Sequence, residues 1–269
     1  MTNIETAETA SSDSFLGRLL PTWELLHNLT VRELKIRYKR SAIGFLWTLL
    51  NPLLMMAVFT VVFTTAFKAP IKDFPLFFLC GYLPWAFFQA SAQVSTGVIV
   101  GNASLIKKVW FPRIVLPLSV VLSQLVHLLL ALLVLMVALG LDGYNFLPYA
   151  PALLAGLVLL TLFTAGMSMA FAAANTMYRD IQEFSNVLFL LWFYMTPVVY
   201  ALTLLPKKYQ LALHANPMYY FISMIRSPLY ELRYPSLGVV IGSLLWTAVA
   251  LIGGTWLFQR LSVRFAKEI

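Results

Sequence analysis

The stretch that decides the fold is Ile114–Gly140, which reads IVLPLSVVLSQLVHLLLALLVLMVALG. It contains no Lys, Arg, Asp or Glu. It is longer than the roughly 20 apolar residues that a helix needs to cross a hydrocarbon core about 30 Å thick. A charged side chain at the centre of such a helix costs roughly 2.5–3.5 kcal/mol on insertion scales. The stretch is therefore predicted to be a membrane-spanning helix.

Five other stretches, on both sides of this one, have the same charge-free, apolar character. A transmembrane β-strand would be about 10 residues long with alternating polarity, so the lengths predict helices. The six predicted spans are Ile43–Phe67, Phe74–Val100, Ile114–Gly140, Tyr149–Met177, Phe184–Leu205 and Ser236–Phe258. Because most connections between them are short, we predict an all-α membrane protein built as one bundle of six transmembrane helices.

The composition agrees with this class. Of the 269 residues 60% are apolar and only 11% are charged, whereas a soluble domain carries about 25% charged residues. A single soluble globular domain is therefore excluded. The single cysteine, Cys80, excludes an internal disulfide framework and a cysteine-rich metal site. The net charge of +8 is read as a signal of orientation, and no nucleic-acid partner is predicted.

The positions of the basic residues predict the orientation. With six spans and the N-terminus inside, 13 of the 19 Lys and Arg residues fall in segments on the cytoplasmic side. Positive charge is enriched in cytoplasmic loops. We therefore expect both termini inside. Four of the outside positive charges follow the fifth span: Lys207, Lys208, Arg226 and Arg233.

Three regions lie outside the spans. Residues 1–21 are predicted to be a disordered cytoplasmic tail, and residues 22–40 an amphipathic interfacial helix whose basic face carries Arg32, Lys35 and Lys39. This helix either lies on the anionic inner leaflet or also contacts a cytoplasmic partner. The apolar segment within Pro206–Tyr230 is too short to span, so we expect short re-entrant helices there. Residues 41–269 form the transmembrane domain.

The sequence contains none of the motifs that would indicate an enzyme. There is no GxxxxGK[ST] loop for nucleotide phosphates, no HExxH metal motif and no GxSxG elbow. The predicted spans also contain no Asp, Glu or Lys, which a proton-coupled carrier or an intramembrane enzyme usually needs. No catalytic and no metal-ligating residue is predicted.

The second span combines aromatic and polar residues. Its first half, Phe74–Phe88, is rich in aromatic side chains, and Gln89 and Gln93 share a helix face after it. These residues either pack and hydrogen-bond to neighbouring helices or line a pathway for a polar solute. Trp47 belongs to such a pathway or to an interfacial belt. The candidate pathway residues are Trp47, Tyr82, Trp85, Phe88, Gln89 and Gln93.

Three segments carry a resemblance to a known family. They are KIRYKRSAIGFLWTLLNPL (Lys35–Leu53), NASLIKKVWFPRIVLPLS (Asn102–Ser119) and NTMYRDIQEFSNVLFLLWFYMTPVVY (Asn175–Tyr200), the last with a Thr-Pro break at Thr196–Pro197. Together and in this order they resemble type-2 ABC exporter permeases of lipid-linked polysaccharides, a group that includes O-antigen, capsule and teichoic-acid exporters. The resemblance covers nearly the whole chain after about residue 20.

The resemblance implies a homodimer in the plasma (inner) membrane, paired with two copies of a separate ATPase that holds ATP and Mg. This chain would need no cofactor of its own. The two cytoplasmic loops would contact the ATPase, and the segment Pro206–Tyr230 would form the exit gate. The implied ATPase contacts are Ser104, Lys107, Lys108, Trp110, Tyr178, Arg179, Asp180 and Glu183.

The cargo implied is a polyprenyl-diphosphate-linked polysaccharide. Three basic residues before the first span, Arg37, Lys39 and Arg40, either receive the diphosphate or serve only as positive charges that set topology. An O-antigen-like polymer is the expected cargo, with teichoic-acid or capsule export as the alternative. Export of drugs or small lipids by the same fold and a polytopic membrane enzyme of lipid-sugar metabolism are further alternatives. Neighbouring glycosyltransferase genes would favour glycan cargo over drugs or small lipids, and activity without any ATPase would favour the enzyme.

Overall fold

The computed structural model describes residues 15–38, 46–66, 71–109, 111–202, 206, 208, 213–263 and 265. These residues are almost entirely helical, which confirms the predicted all-α class. The helices are α1 (Phe15–Tyr38), α2 (Trp47–Thr60), α3 (Phe74–Gly101), α4 (Ala103–Lys108), α5 (Val115–Leu141), α6 (Ala150–Met177), α7 (Ile181–Met195), α8 (Pro217–Leu229) and α9 (Leu237–Ser262). A π-helical segment, Val61–Ala66, continues α2, and a 3-10 turn, Leu147–Tyr149, precedes α6.

Within the described residues, 3 helices are long and apolar enough to cross a membrane: α5, α6 with its 3-10 turn, and α9. Their bounds follow the predicted third, fourth and sixth spans to within a few residues. Helix α3 reproduces the second predicted span and is 28 residues long, but the polar residues of its second half make it less apolar. Helix α2 and its π-helical continuation cover most of the first predicted span, Ile43–Phe67.

Helix α7 is shorter than the predicted fifth span, Phe184–Leu205. It ends at Met195 after 15 residues, which corresponds to about 22 Å, less than the hydrocarbon thickness of about 30 Å. The cause is Pro197, which has no N–H to donate and forces the residue before it out of the helical region. Thr196 accordingly adopts an extended backbone, with φ −103° and ψ 137°.

Helix α1 begins at Phe15, inside the segment 1–21 that was predicted as a tail; residues 1–14 lie outside the described residues. Leu29 of α1 is buried among side chains from α3, α5, α6 and α9, with Leu25 and Leu26 against the same group. Trp23 and Ile36 are exposed. Within its described side chains, the helix is therefore docked on the bundle through the side that carries Leu29 and exposes the side that carries Trp23 and Ile36.

Two apolar cores follow one another along the bundle axis. The larger contains the first half of α3, the second half of α5, the first half of α6, and α8. The smaller contains Leu29 of α1, Ile106 of α4, and the opposite ends of α3, α5, α6 and α9. We call the two ends of the bundle the α8 end and the α1 end.

Helices α6 and α9 approach each other closely at two glycines. A methyl group on Gly166 would overlap the carbonyl of Ala250, and one on Gly254 would overlap the carbonyl of Gly166. Only residues without a side chain allow the two backbones to come this near, which is a common way for membrane helices to associate. Helices α6 and α9 thus pack backbone against backbone at these two glycines.

At the α8 end, hydrogen bonds join the start of α3, the loop after α5 and the end of α8. The Tyr144 hydroxyl donates to Asp73 Oδ2 at 2.7 Å, and the Tyr230 hydroxyl donates to the carbonyl of Lys72. The rings of Tyr144 and Tyr230 stack at 5.8 Å. Burial, and then the bond to Asp73, raise the pKa of Tyr144 above its usual value, so the hydroxyl keeps its proton and remains the donor.

Candidate functional site

A continuous cluster of aromatic rings lies in the larger core, along the first half of α3 and the second half of α7. Trp85 lies 5.7 Å from Phe193 and 6.0 Å from Trp192, and Phe88 lies 5.1 Å from Trp192. Most of these contacts are tilted or edge-to-face, the geometry that aromatic rings prefer. We call this group the aromatic cluster: Phe59, Phe63, Phe74, Phe78, Tyr82, Trp85, Phe88, Phe163, Phe189, Trp192, Phe193 and Phe221.

The aromatic candidates of the second span lie inside this cluster. Trp85 and Phe88 are fully buried at 0% exposure, and Tyr82 is buried at 9%. The Trp85 indole donates a hydrogen bond to Gln89 Oε1 at 2.9 Å. The side-chain oxygen of Gln89, another candidate pathway residue, is therefore bonded to Trp85. The contacts are those of the packing alternative; a role of these rings in lining a pathway stays a prediction.

Beyond the aromatic cluster, toward the α1 end, polar side chains of α3 and α7 contact each other. Gln93 Nε2 donates to Asn186 Oδ1 at 3.3 Å, and a methyl group on Gly97 would lie 3.5 Å from Gln182 Oε1. The last turns of α3 therefore lie beside the first turns of α7. Trp47, the remaining aromatic candidate, is half exposed at the start of α2.

This proximity brings the two predicted cytoplasmic loops to the same end of the molecule, because α4 directly follows α3 and the loop 178–180 directly precedes α7. The predicted ATPase contacts that the structure describes on both loops are exposed. We call them the two-loop surface: Ser104, Lys107, Lys108, Tyr178, Arg179, Asp180 and Glu183. Trp110, predicted as part of the same contact, lies outside the described residues.

The amphipathic helix is attached to this end. Arg32 Nη2 of α1 donates to Asn102 Oδ1 at 2.7 Å, and Asn102 Nδ2 donates to the carbonyl of Val98 at 2.8 Å. Asn102 separates α3 from α4, so α1 is hydrogen-bonded to the base of the two-loop surface. Lys39 and Arg40 lie outside the described residues, as does the side chain of Arg37.

Residues 24–230 match the family described as ABC-2 type transporter. The chain belongs to this family. The match confirms the resemblance to type-2 ABC exporter permeases that the three sequence segments carry, and it supports a transport function over an enzymatic one.

Curated relatives of this ABC-2 type transporter chain are polysaccharide export permeases. It is 36% identical over 248 residues to the O-antigen export system permease protein RfbA of Myxococcus xanthus, covering 91% of this chain and 95% of the relative. Its identity to RfbA of Klebsiella pneumoniae is 32% over 253 residues, with 91% and 95% covered. It is 25% identical over 243 residues to the polysialic acid transport protein KpsM of Escherichia coli, covering 86% and 91%.

Two residues of this ABC-2 transporter chain, Asn216 and Arg226, make structural contacts at the α8 end that the sequence did not predict. Asn216 Oδ1 accepts from the Trp192 indole at 2.8 Å and from Met218 N at 3.0 Å, so it caps α8. The Asn-Pro pair at 216–217 is a signal for this cap. Arg226, read from the sequence only as an outside positive charge, is buried; its position as the one charged residue of an apolar helix was the available signal.

Proposed function

We propose that this chain is the transmembrane subunit of an ATP-driven exporter that moves a polyprenyl-diphosphate-linked polysaccharide, of O-antigen type, from the inner to the outer leaflet of the plasma (inner) membrane. The observation that carries the proposal is the two-loop surface. Two exposed loops from distant parts of the sequence meet at one end of the bundle, where an ATPase subunit can press on both. Of the three relatives compared, those with higher identity are O-antigen export permeases, which favours this cargo over a capsule polymer.

The proposed topology has six spans with both termini inside. Helices α5, α6 and α9 have the length and apolarity of spans. Helix α2 with its π-helical continuation, helix α3, and helix α7 with the segment that follows it would complete the six, with α8 re-entrant from the outer side. The α1 end carries exposed Lys35, Lys107, Lys108 and Arg179, and a concentration of positive charge marks the cytoplasmic side. Helix α1 then lies along the inner interface, beside the two-loop surface.

A separate ATPase, in two copies and holding ATP and Mg, is the proposed source of energy. Its binding at the two-loop surface would push α4 and the start of α7. Helix α4 follows α3 directly after Asn102, and α1 would follow because Arg32 is hydrogen-bonded to Asn102. A change of contacts at this surface shifts the transporter between two states only if the ATPase binds the two states differently.

The conduit is proposed to lie between two copies of the chain. Helix α7 buries only Ser185 and Phe189, and it exposes Phe184, Val187, Leu190, Leu191, Tyr194 and Met195. Such a face requires lipid or a second subunit to cover it. Glycan hydroxyls need a protein-lined route, since each one left unpaired in an apolar medium costs several kcal/mol. The lipid tail favours the bilayer by about 0.8 kcal/mol per methylene, so the route must open sideways.

Substrate contacts remain proposals. Arg37, Lys39 and Arg40 would meet the diphosphate at the inner face, because an arginine fork matches phosphate oxygens in bidentate geometry. The half-exposed Trp47 would lie near the same entry. Tyr82, Trp85, Phe88, Gln89 and Gln93 would contact glycan only if the transport cycle separates α3 from α7.

The test is co-purification followed by ATP turnover. We expect a stoichiometric ATPase to accompany the wild-type chain, and lipid-linked polysaccharide to change its rate of ATP hydrolysis. The double variant Lys107→Glu, Lys108→Glu should lose the ATPase, whereas Lys208→Glu, an exposed lysine in the segment between α7 and α8, should retain it. Export by the purified chain alone, without any ATPase, would refute the proposal.

A further inference from the structure

Arg226 is a buried cation held by backbone oxygens. Its exposure is 7%. Nη1 donates to the carbonyl of Pro197 at 2.8 Å, and Nη2 donates to the carbonyl of Val198 at 2.9 Å and more weakly to that of Phe77 at 3.5 Å. The guanidinium also lies over the Phe77 ring, 3.9 Å from its centroid. Among the described residues, no carboxylate lies within ion-pairing distance of it.

A charge in such surroundings is costly unless fixed dipoles surround it. The two carbonyls that Arg226 binds most closely, those of Pro197 and Val198, lie where α7 ends. A helix end within a membrane has no water to satisfy its backbone groups. The arginine fork supplies two parallel donors to neighbouring carbonyls, which an ammonium group cannot do in the same geometry. Arg226 therefore supplies hydrogen-bond donors to the carbonyls of Pro197 and Val198, and it attaches α8 to the end of α7.

Helix α3 leaves a space for this contact. A methyl group on Gly81 would overlap Nη2 of Arg226 and would lie 3.2 Å from the carbonyl of Val198. The guanidinium thus fits between α3, α8 and the segment after α7 only because position 81 has no side chain.

A second side chain of the α8 region, Asn216, also binds the end of α7. Asn216 Nδ2 donates to Thr196 Oγ1 at 2.9 Å and to the carbonyl of Met195 at 3.2 Å, in addition to its bond with Trp192. The end of α7 is therefore hydrogen-bonded to the beginning of α8 through Asn216 and to its last turns through Arg226.

We propose that Arg226 is a positioning residue that locks the end of α7, helix α8 and the first turns of α3 into one rigid unit, so that α7 and α8 move together when the outer side opens. The movement itself rests on the proposed export function; the rigid coupling does not. Without the guanidinium, Asn216 would still hold the beginning of α8 to the end of α7, and Tyr230 would still bind the carbonyl of Lys72. The last turn of α8 would lose its attachment to the carbonyls of Pro197 and Val198 and would move more freely against α7.

The experiment measures distance distributions between spin labels in the purified chain alone, reconstituted in lipid nanodiscs. One label pair replaces Tyr194 of α7 and Ser223 of α8, and a reference pair replaces Val137 of α5 and Ile241 of α9. Cys80, the single native cysteine, is buried and does not compete for the label. Because neither ATPase nor polysaccharide is present, the result is independent of whether the proposed function is correct.

Two variants remove the contact from opposite sides: Arg226→Gln removes the guanidinium, and Gly81→Ala displaces it. We expect each to at least double the width of the Tyr194–Ser223 distribution and to leave the reference pair unchanged. Arg226→Lys should give an intermediate width. The matched controls are Arg233→Gln, an exposed arginine just after α8 that pairs with Glu231 at 2.8 Å, and Gly101→Ala, where an added methyl group meets no neighbour.

An unchanged Tyr194–Ser223 width in Arg226→Gln or Gly81→Ala would overturn the proposal. Equal broadening of both label pairs would also overturn it, because that result means general loosening rather than positioning. If Arg226→Gln does not fold, Gly81→Ala and Arg226→Lys decide between the same outcomes.

Discussion

Trp85 occupies the centre of the aromatic cluster, and its exposure of 0% decides what its removal does. Replacing a fully buried tryptophan by alanine costs roughly 3–5 kcal/mol through lost transfer free energy and the cavity left behind. We therefore expect Trp85→Ala to lower the unfolding temperature of the purified chain in detergent, or to prevent its accumulation in membranes. Trp47→Ala, at a tryptophan that is 50% exposed, is the control and should unfold near the wild-type temperature.

The opposite result would support the pathway alternative. If Trp85→Ala unfolds like the wild type but export falls, the ring meets the glycan during transport. The expected loss of stability would instead identify Trp85 as a packing residue, which fits its contacts with Phe88, Trp192 and Phe193.

The proposed diphosphate contact belongs to the same scale. A hydrogen bond to a charged group contributes roughly 1.5–3 kcal/mol, which corresponds to about a 10- to 100-fold effect. We expect Arg37→Glu or Arg40→Glu to lower export by about this factor while the amount inserted in the membrane stays normal. Arg18→Glu removes the same charge from the same predicted side and is the matched control. Equal losses in all three variants, or unchanged export in the first two, would remove the diphosphate role.

At the scale of elements, the contact between α6 and α9 can be tested at Gly254, with the neighbouring Gly253 as the control. A methyl group on Gly254 would overlap the backbone of Gly166, whereas one on Gly253 meets no atom within 4 Å. Gly254→Ala should push the two helices apart and lower the unfolding temperature. Gly253→Ala should leave it equal or raise it, because alanine favours a helix over glycine by roughly 0.5–1 kcal/mol. The measurement is thermal unfolding in detergent; equal values for both variants would contradict the packing described.

The elements differ in how far the sequence predicted them. Helices α3, α5, α6 and α9 follow uninterrupted charge-free runs, so composition alone placed them closely. Helix α7 was predicted too long because its apolar run continues past Pro197, and only backbone geometry ends the helix at Met195. Helix α1 extends from Phe15 to Tyr38, whereas the sequence predicted the interfacial helix over residues 22–40.

The candidate site was less predictable than the helices, for a physical reason. The aromatic residues of α3 are compatible with packing and with a pathway until their neighbours on α6 and α7 are known. Arg226 illustrates the same limit. Its partners are the backbone carbonyls of Pro197 and Val198, and because every residue has a carbonyl, the sequence does not indicate which ones bind the arginine. In contrast, the charged loops at Lys107 and Arg179 were recognised through sequence resemblance, which does not depend on packing.

At the scale of the whole molecule, the fold divides into a well-packed centre and helices at its edge. Helices α3, α5 and α6 contribute most of the larger core, and α9 is joined to α6 through glycines. Helix α7 buries only two side chains. The exposed aromatic and aliphatic residues of α2 and its π-helical continuation include Trp47, Leu54, Val58 and Val61. The edge helices are therefore where lipid or a second copy of the chain must make contact, and where movement costs the least buried surface.

The orientation of this fold in the membrane can be determined by labelling from one side. Basic residues concentrate at the α1 end, and lysine and arginine are retained on the cytoplasmic side during insertion. We expect a membrane-impermeant maleimide to label Arg233→Cys, at the α8 end, in intact cells, and to label Lys108→Cys only after the membrane is opened. Both native side chains are exposed, and Cys80 is buried, so the introduced thiol is the one that reacts. Labelling of Lys108→Cys in intact cells would show that the α1 end faces outward. It would then contradict both the proposed topology and the proposed binding of the ATPase at the two-loop surface.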